Sequence, residues 1–235
     1  MHCRFADVLA ALLRYTSSRP LFCVAILLCA PLASAQESEQ MLWEKLRAGT
    51  HFAMLRHALA PGFGDPENFT LGDCATQRNL SDEGREQARR IGERFRDNAI
   101  VSVDVYSSQW CRCRETAELL GLGEVSDLPA LNSFFQRYER EEGQMRELGQ
   151  WLAGQDYSSP LLLVTHQVNI TSLTGVFPQS GELVVVRRSD NGDFSVAGTI
   201  RTRKASVITS NTVPATLRLG TGVGVAVGSG TVVGT

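Results

Sequence analysis

Leu161-Leu162-Leu163-Val164-Thr165-His166, entered from Pro160, decides the fold class of this 235-residue chain. Four consecutive apolar residues between a proline and polar residues are what a central parallel strand needs, because both its faces are covered. Upstream, His51-Phe52-Ala53-Met54-Leu55-Arg56 reads as a second strand, followed by a Gly/Pro/Asp/Asn-rich loop over 61–73. Ser81 is placed to cap a helix running to about residue 97, with Gly84, Ala88, Ile91, Gly92 and Phe95 on one face. A short strand over 101–105, a helix over 112–120 and a helix over 139–152 come next. Downstream, 183–186 and 194–200 flank Ser189-Asp190-Asn191-Gly192-Asp193 and read as a closing hairpin. Strands alternating with helices predict an α/β protein, a three-layer α/β/α sandwich with a mostly parallel central sheet.

Composition bounds the function. The chain is 43% hydrophobic and 20% charged, as expected for one globular domain. Its net charge of −2 is unevenly spread: residues 36–200 hold 16 basic and 24 acidic side chains, a net of −8. An acidic body has no general attraction for a nucleic-acid backbone, so that partner class is set aside. Any bound anion must be held by a few well-placed arginines.

The N-terminus reads as an export signal over 1–35. Arg14 and Arg19 precede an apolar run from Leu21 to Leu32, and Ala33-Ser34-Ala35 fits small-x-small cleavage. That run is short for a bilayer span, so no stable membrane span is expected after cleavage. The rival is an uncleaved anchor. Residues 36–200 form the domain, and 201–235, rich in Gly, Thr, Val and Ser, read as a low-complexity, disordered tail. The predicted location is the periplasm or the exterior. Cleavage removes Cys3, Cys23 and Cys29 and leaves Cys74, Cys111 and Cys113, which predicts one disulfide and one thiol. A Cys111–Cys113 bridge would be cramped at i,i+2, so Cys74 pairs with one of the two. The rival is three unpaired cysteines. His51, His57 and His166 have no ligand spacing with the cysteines, so no metal site is expected.

Chemistry collects where strands end. Arg56-His57 closes the first strand, Ser107-Ser108 and Arg112 follow the second, and Thr165-His166 closes the apolar one. Open α/β sheets bind ligands at the carboxyl ends of their strands. Each residue alone is more often packed or solvated than functional. Two histidines and two arginines at three strand ends point to one crevice.

These residues carry a resemblance. Leu55-Arg56-His57-Ala58 resembles the Arg-His-Gly signature of the histidine phosphatase superfamily, the phosphoglycerate mutase-like proteins. Leu80-Ser81-x-x-Gly84-x-x-Gln87-Ala88 is similar to its helix-opening pattern, and Tyr106-Ser107-Ser108-x-x-x-Arg112-Cys113-x-Glu115-Thr116-Ala117 to its second arginine motif. Val164-Thr165-His166 resembles its second histidine motif. Order and spacing agree over roughly residues 50–200. The stretches Gly64-Asp65-Pro66, Asp73-Cys74-Ala75-Thr76-Gln77-Arg78-Asn79-Leu80 and Thr165-His166-Gln167-Val168-Asn169-Ile170 look like an exported branch, akin to lipopolysaccharide core heptose phosphatases.

The resemblance implies a metal-independent phosphomonoester hydrolase, with no cofactor, acting on a small-molecule or glycan phosphate ester. His57 would attack phosphorus and form a phosphohistidine, while Arg56, Arg112 and His166 bind the phosphoryl oxygens. Arg78 and Asn79 would extend the substrate-binding cluster. Two departures stand out. Ala58 replaces the usual Gly, which requires ordinary backbone angles there. The acid that protonates the leaving alkoxide is also missing, since the family's two positions hold Ser133 and Gln167. Glu139, Glu141, Glu142 and Asp65 are the candidates, each with a surface charge as the plainer reading. For the disulfide, the family packs a small Ala where this chain has Cys113, which favours Cys111 as the partner of Cys74. The rivals are a phosphate-binding protein without catalysis and a phosphohistidine or phosphoprotein phosphatase. Residues alone do not set the oligomeric state.

Overall fold

A computed structural model describes residues 38–188 and 193–202 of the chain. The expected leader, most of the hairpin turn and the expected tail from residue 203 onward lie outside the described residues.

Strand alternation sets the layers. In β1 (His51–Arg56), Ala53 and Leu55 join one core while Phe52 and Met54 join the other. β4 (Leu161–Thr165) divides in the same way, Leu162 and Val164 against Leu161 and Leu163. β5 (Leu183–Arg188) repeats it with Leu183 and Val185 against Val184 and Val186. Three helices cover the first face: α1 (Glu39–Arg47), α2 (Asp82–Asp97) and α3 (Cys111–Leu120). Two cover the second: α4 (Glu141–Ala153) with Leu148 and Leu152, and α5 (Gln167–Thr174) with Ile170. The expected three-layer sandwich is the observed one. Trp43 of α1 meets Phe95 of α2 edge-on with centroids 5.0 Å apart, a contact worth about 1 kcal/mol beyond its buried area.

The remaining strands are β2 (Asp104–Ser107), β3 (Val125–Asp127) and β6 (Phe194–Ile200). Across the sheet the order is β3-β2-β4-β1-β5-β6. The first four strands run parallel, and β5 and β6 add antiparallel at one side. Register matters most. Arg56 lies opposite Thr165, and Ser107 opposite Val164. The carboxyl ends of β1, β4 and β2 are therefore level, and the residues that follow them emerge side by side.

Several elements depart from the sequence reading. The strand expected over 101–105 forms at Asp104–Ser107, because its ladder begins where Asp104 meets Leu161. Val101 is exposed. α1, β3 and α5 have no counterpart in that reading. α1 is capped by Ser38, whose hydroxyl accepts from the Met41 N–H, and buries Leu42, Trp43 and Leu46. The helix expected over 139–152 starts at Glu141, after a 3-10 turn at Tyr138–Arg140. Arg201 and Thr202, read as tail, bond to the body: the Arg94 guanidinium donates to the Arg201 carbonyl, and Gln87 to the Thr202 hydroxyl. No helix of the described residues is long and apolar enough to cross a membrane.

Two glycines let α2 approach other backbone. A Cβ on Gly92 would lie 1.9 Å from the Leu120 carbonyl oxygen, and one on Gly84 2.1 Å from that of Leu59. Neither carbonyl can move without moving α3 or the loop after His57. Outside the helices, Cys74 and Cys111 form a disulfide with Cα atoms 5.7 Å apart, and Cys113 is a buried thiol. The bridge ties the turn at Cys74–Thr76 to the first residue of α3.

Gly92→Ala should lower stability by about 2–3 kcal/mol, the scale of overpacking against a rigid neighbour. On an open helix face the same change would add about 1 kcal/mol. Urea midpoints of the two proteins decide between these signs. For the bridge, closing a loop of this length contributes at most about 4 kcal/mol. Protein without residues 1–35 should show one alkylatable thiol after unfolding without reductant, and reductant should lower its Tm. Three labelled thiols and an unchanged Tm would be the contrary result.

Candidate active site

The level strand ends open into a cavity of about 580 Å³. Its floor holds Arg56, His57, Arg112 and His166. Asp65, Arg78 and Trp110 form one wall. His57, Arg112 and His166 are 2%, 3% and 4% exposed, so these polar groups sit in the interior at the bottom of an opening.

His57 is held by backbone on both sides. Its N–H donates to the Thr165 carbonyl at 3.0 Å, which continues the β1–β4 ladder past the strand end. The following loop is clamped by the motif residues of α2 and α3. Thr116 accepts from the Ala58 N–H at 3.0 Å and donates to the Arg112 carbonyl at 2.6 Å. Gln87 accepts from the Leu59 N–H at 2.9 Å, and the Ser81 N–H donates to the Leu59 carbonyl at 3.1 Å. Gly84 supplies the room for that carbonyl. Ala58 is absent from the residues with positive φ, so the replacement of Gly costs no strain there.

The clamp fixes the imidazole. His57 Nδ1 lies 2.7 Å from the Ala58 carbonyl oxygen. A carbonyl only accepts, so Nδ1 carries the proton and Nε2 presents a lone pair. Burial first, and then the positive charge of Arg112, hold the His57 pKa well below the usual histidine range. The same two causes, in the same order, keep His166 neutral, with its rings 5.6 Å from those of His57 centroid to centroid. Two neutral imidazoles therefore stand among three guanidinium groups.

His166 belongs to a directed chain. Its Nε2 lies 2.8 Å from Ser108 Oγ, and Ser108 Oγ lies 3.2 Å from Asn132 Oδ1. Arg112 Nη2 lies 3.4 Å from His166 Nδ1. Arginine can only donate, so Nδ1 accepts, Nε2–H donates to Ser108, and Ser108 donates to Asn132. Cys113 Sγ sits 3.4 Å from His166 Nε2, its pKa pushed up to about 12 by burial, so it remains a thiol.

The arginines are organised by a carboxylate. Arg112 grips Asp65 with both ends of its fork, at 2.7 and 3.1 Å. Asp65 also accepts from the Arg78 N–H at 3.1 Å and from Trp110 Nε1 at 3.0 Å. Burial alone would raise the Asp65 pKa, but these donors and the charge of Arg112 outweigh it and lower it. Arg78 is not a solvated loop residue. Its side chain folds inward to donate to the Gly64 and Ala60 carbonyls, and burial, then the charge of Arg112, lowers its pKa to about 10. Arg56 donates to the Pro178 carbonyl at 2.9 Å. The Nε–H groups of Arg56 and Arg112 are buried and find no acceptor among the described residues. A cavity lined by buried guanidinium donors that lack acceptors is built for an anion with several oxygens.

The structure thus brings together Arg56, His57, Arg78, Arg112 and His166, and leaves Asn79 out. The Asn79 side chain donates instead to the Cys74 and Gln77 carbonyls and braces the disulfide turn. Of the four acid candidates, Asp65 lines the cavity. Glu141 accepts from the Ser172 hydroxyl, Glu142 pairs with Arg146, and Glu139 stays outside the lining. Ser133 and Gln167 do line it. Trp110 was not anticipated; it stacks on Phe69 at 4.9 Å and steers Asp65. An indole at the start of a helix that lacks a capping side chain was the available signal. Among the described residues no group of His, Cys, Asp and Glu is arranged to hold a metal ion.

The model of the histidine phosphatase superfamily (branch 1) matches residues 54–134. No curated protein matches the chain. Among solved structures, the chain is similar to the protein histidine phosphatase SixA complexed with tungstate, at 15% identity over 65% of this chain and 97% of that one, with a TM-score of 0.47. It is similar to a mycobacterial glucosyl-3-phosphoglycerate phosphatase at 16% identity, covering 63% and 96%, with a TM-score of 0.45. A phosphoserine phosphatase from Entamoeba histolytica, in complex with 3-phosphoglyceric acid, follows at 12%, 65%, 98% and 0.46. The matched segment, about a third of the chain, contains Arg56, His57, Arg78 and Arg112.

Proposed function

We propose that this protein is an exported, metal-independent phosphomonoester hydrolase that works through a phosphohistidine at His57. The observation that carries the reading is the Nδ1–H bond to the Ala58 carbonyl, which turns an unprotonated Nε2 toward the arginine-lined cavity. In this reading a phosphoryl group sits on Arg56 and Arg112, whose charges stabilise the oxygens as negative charge builds. Nε2 forms the bond to phosphorus in line with the ester oxygen, and the ester bond breaks. His166 serves the same oxygens when the Ser108 hydroxyl donates to Nε2 instead of Asn132, which leaves the proton on Nδ1 beside Arg112. The guanidinium groups supply the charge that a metal supplies elsewhere.

The substrate is taken to be a phosphorylated sugar or glycan of the cell envelope. In support, only 53 residues separate Arg112 from His166, which leaves little chain for a large cap over the cavity. The mouth carries exposed Phe63 in edge contact with Phe135, and the arginines Arg137 and Arg140. Export to the periplasm or exterior is supported by the apolar run before Ala33-Ser34-Ala35 and by the Cys74–Cys111 disulfide. A phosphorylated core heptose is the favoured ester, on the resemblance of the loop over 64–80.

His57→Ala should abolish turnover of phosphomonoesters and leave the melting profile near that of the wild type. Rapid acid-free quench of wild type with a labelled ester should trap a base-stable, acid-labile phosphoenzyme. Retention of more than a few per cent of activity by the variant would sink the nucleophile assignment, and a wild type that turns over no phosphomonoester would leave a phosphate-binding protein.

The two neutral histidines also predict a pH dependence. Below an unperturbed pKa of about 6.5 the unfolded chain binds protons on His57 and His166 that the native state refuses. The unfolded state then holds more protons, so stability falls as pH drops from 7.5 to 5.5. Urea midpoints across that range should decline; a flat profile would mean that both rings accept protons in place.

A further inference from the structure

Resting on the reading of His57 as nucleophile, we propose that Asp65 moves the proton of this reaction, giving it to the leaving ester oxygen and then taking one from the attacking water. Three observations lead there. First, among the described residues lining the cavity, Asp65 is the one carboxyl group, while Ser133 and Gln167 do not ionise in the neutral range. Second, Asp65 is outward of the nucleophile: its side chain is 17% exposed, against 2% for His57. In-line displacement by a buried Nε2 expels the alcohol toward the mouth, which is the side Asp65 occupies. Third, its oxygens lie on both ends of the Arg112 fork, where a phosphoryl group's oxygens would bind. An arriving phosphoryl group takes that fork, and Asp65 is left beside its negative charge. Like charge at contact distance favours the protonated carboxyl.

The loop permits the change. Asp65 follows Gly62 and Gly64, both with positive φ, and is anchored by two further donors, the Arg78 N–H and Trp110 Nε1, when Arg112 is taken. The proton arrives on a monoanionic ester and passes to Asp65. His57 Nε2 then bonds to phosphorus, the P–O ester bond breaks, and the oxygen leaves as the alcohol with the Asp65 proton. In the second step water attacks the phosphohistidine, its proton goes to the Asp65 carboxylate, and the P–N bond returns its pair to Nε2. Inorganic phosphate carries the remaining proton away, and Asp65 closes again on Arg112.

The test compares leaving groups in one protein. Wild type and Asp65→Asn are mixed with an alkyl phosphate and with 2,4-dinitrophenyl phosphate, and formation of the phosphoenzyme is followed before steady state. A dinitrophenolate needs no proton. The variant should therefore form phosphoenzyme from the aryl ester within a few-fold of the wild-type rate and accumulate it. Its rate with the alkyl ester should fall roughly 10²–10⁴-fold, the range for a lost general acid. Because the ratio is taken on the same preparation, it does not depend on how much of the variant folds. Equal losses with both esters overturn the assignment and make Asp65 only a support for Arg112. Wild type that traps no phosphoenzyme from either ester overturns the nucleophile reading, and this assignment with it.

Discussion

The parallel pairing of β1 with β4 is the constraint on which the rest of the site depends. It sets Arg56 opposite Thr165, and the bond from the His57 N–H to the Thr165 carbonyl carries the register one residue further. A slip of one residue would exchange the two faces of β1 and send Ala53 and Leu55 into the core that Phe52 and Met54 occupy. The two hydrophobic clusters thus police the placement of His57 far more strongly than any contact of the imidazole itself. The geometry of the site is a by-product of side-chain packing several residues away.

The electrostatics follow from putting cations where water is scarce. Among the described residues, Arg56, Arg78 and Arg112 share one cavity with a single carboxylate, and for Arg56 and Arg78 burial first and then the charge of Arg112 act against the charged form. Backbone carbonyls offset part of that cost: Pro178 for Arg56, Gly64 and Ala60 for Arg78. Asp65 offsets more, since a two-pronged pair is the strongest contact a guanidinium makes. Burial, and then the surplus of positive charge that remains, keep both histidines neutral, and that surplus favours an incoming anion.

Much of this was legible in the sequence because it rests on short-range patterns. The apolar run 161–164, the alternation in 51–56 and the cap at Ser81 each carry a local signature, and the strand-end rule placed His57, Arg112 and His166 together. The elements that escaped were short or polar. α5 spans eight residues with little separation of apolar and polar faces, and β3 spans three. Asn79 looked like part of the arginine cluster, yet its side chain turned to local carbonyls, as asparagine does in loops. Asp65 and Arg78 were visible as residues but not as partners, because 47 positions separate Asp65 from Arg112 and a loop path joins them. Pairing across such a distance is a property of the folded chain alone.

The bond between His57 and its neighbouring carbonyl changes character during the proposed reaction. At rest it joins a neutral ring to a neutral amide and contributes about 1 kcal/mol. Once Nε2 holds the phosphoryl group, the ring is cationic while Nδ1 still carries its proton, and the same contact becomes charge-assisted, roughly twice as strong. Ala58 is buried and its N–H is bound to Thr116, so the carbonyl is in position before the charge arrives. The backbone there acts as a latent counter-dipole: silent in the free enzyme, and engaged only while the covalent intermediate lasts.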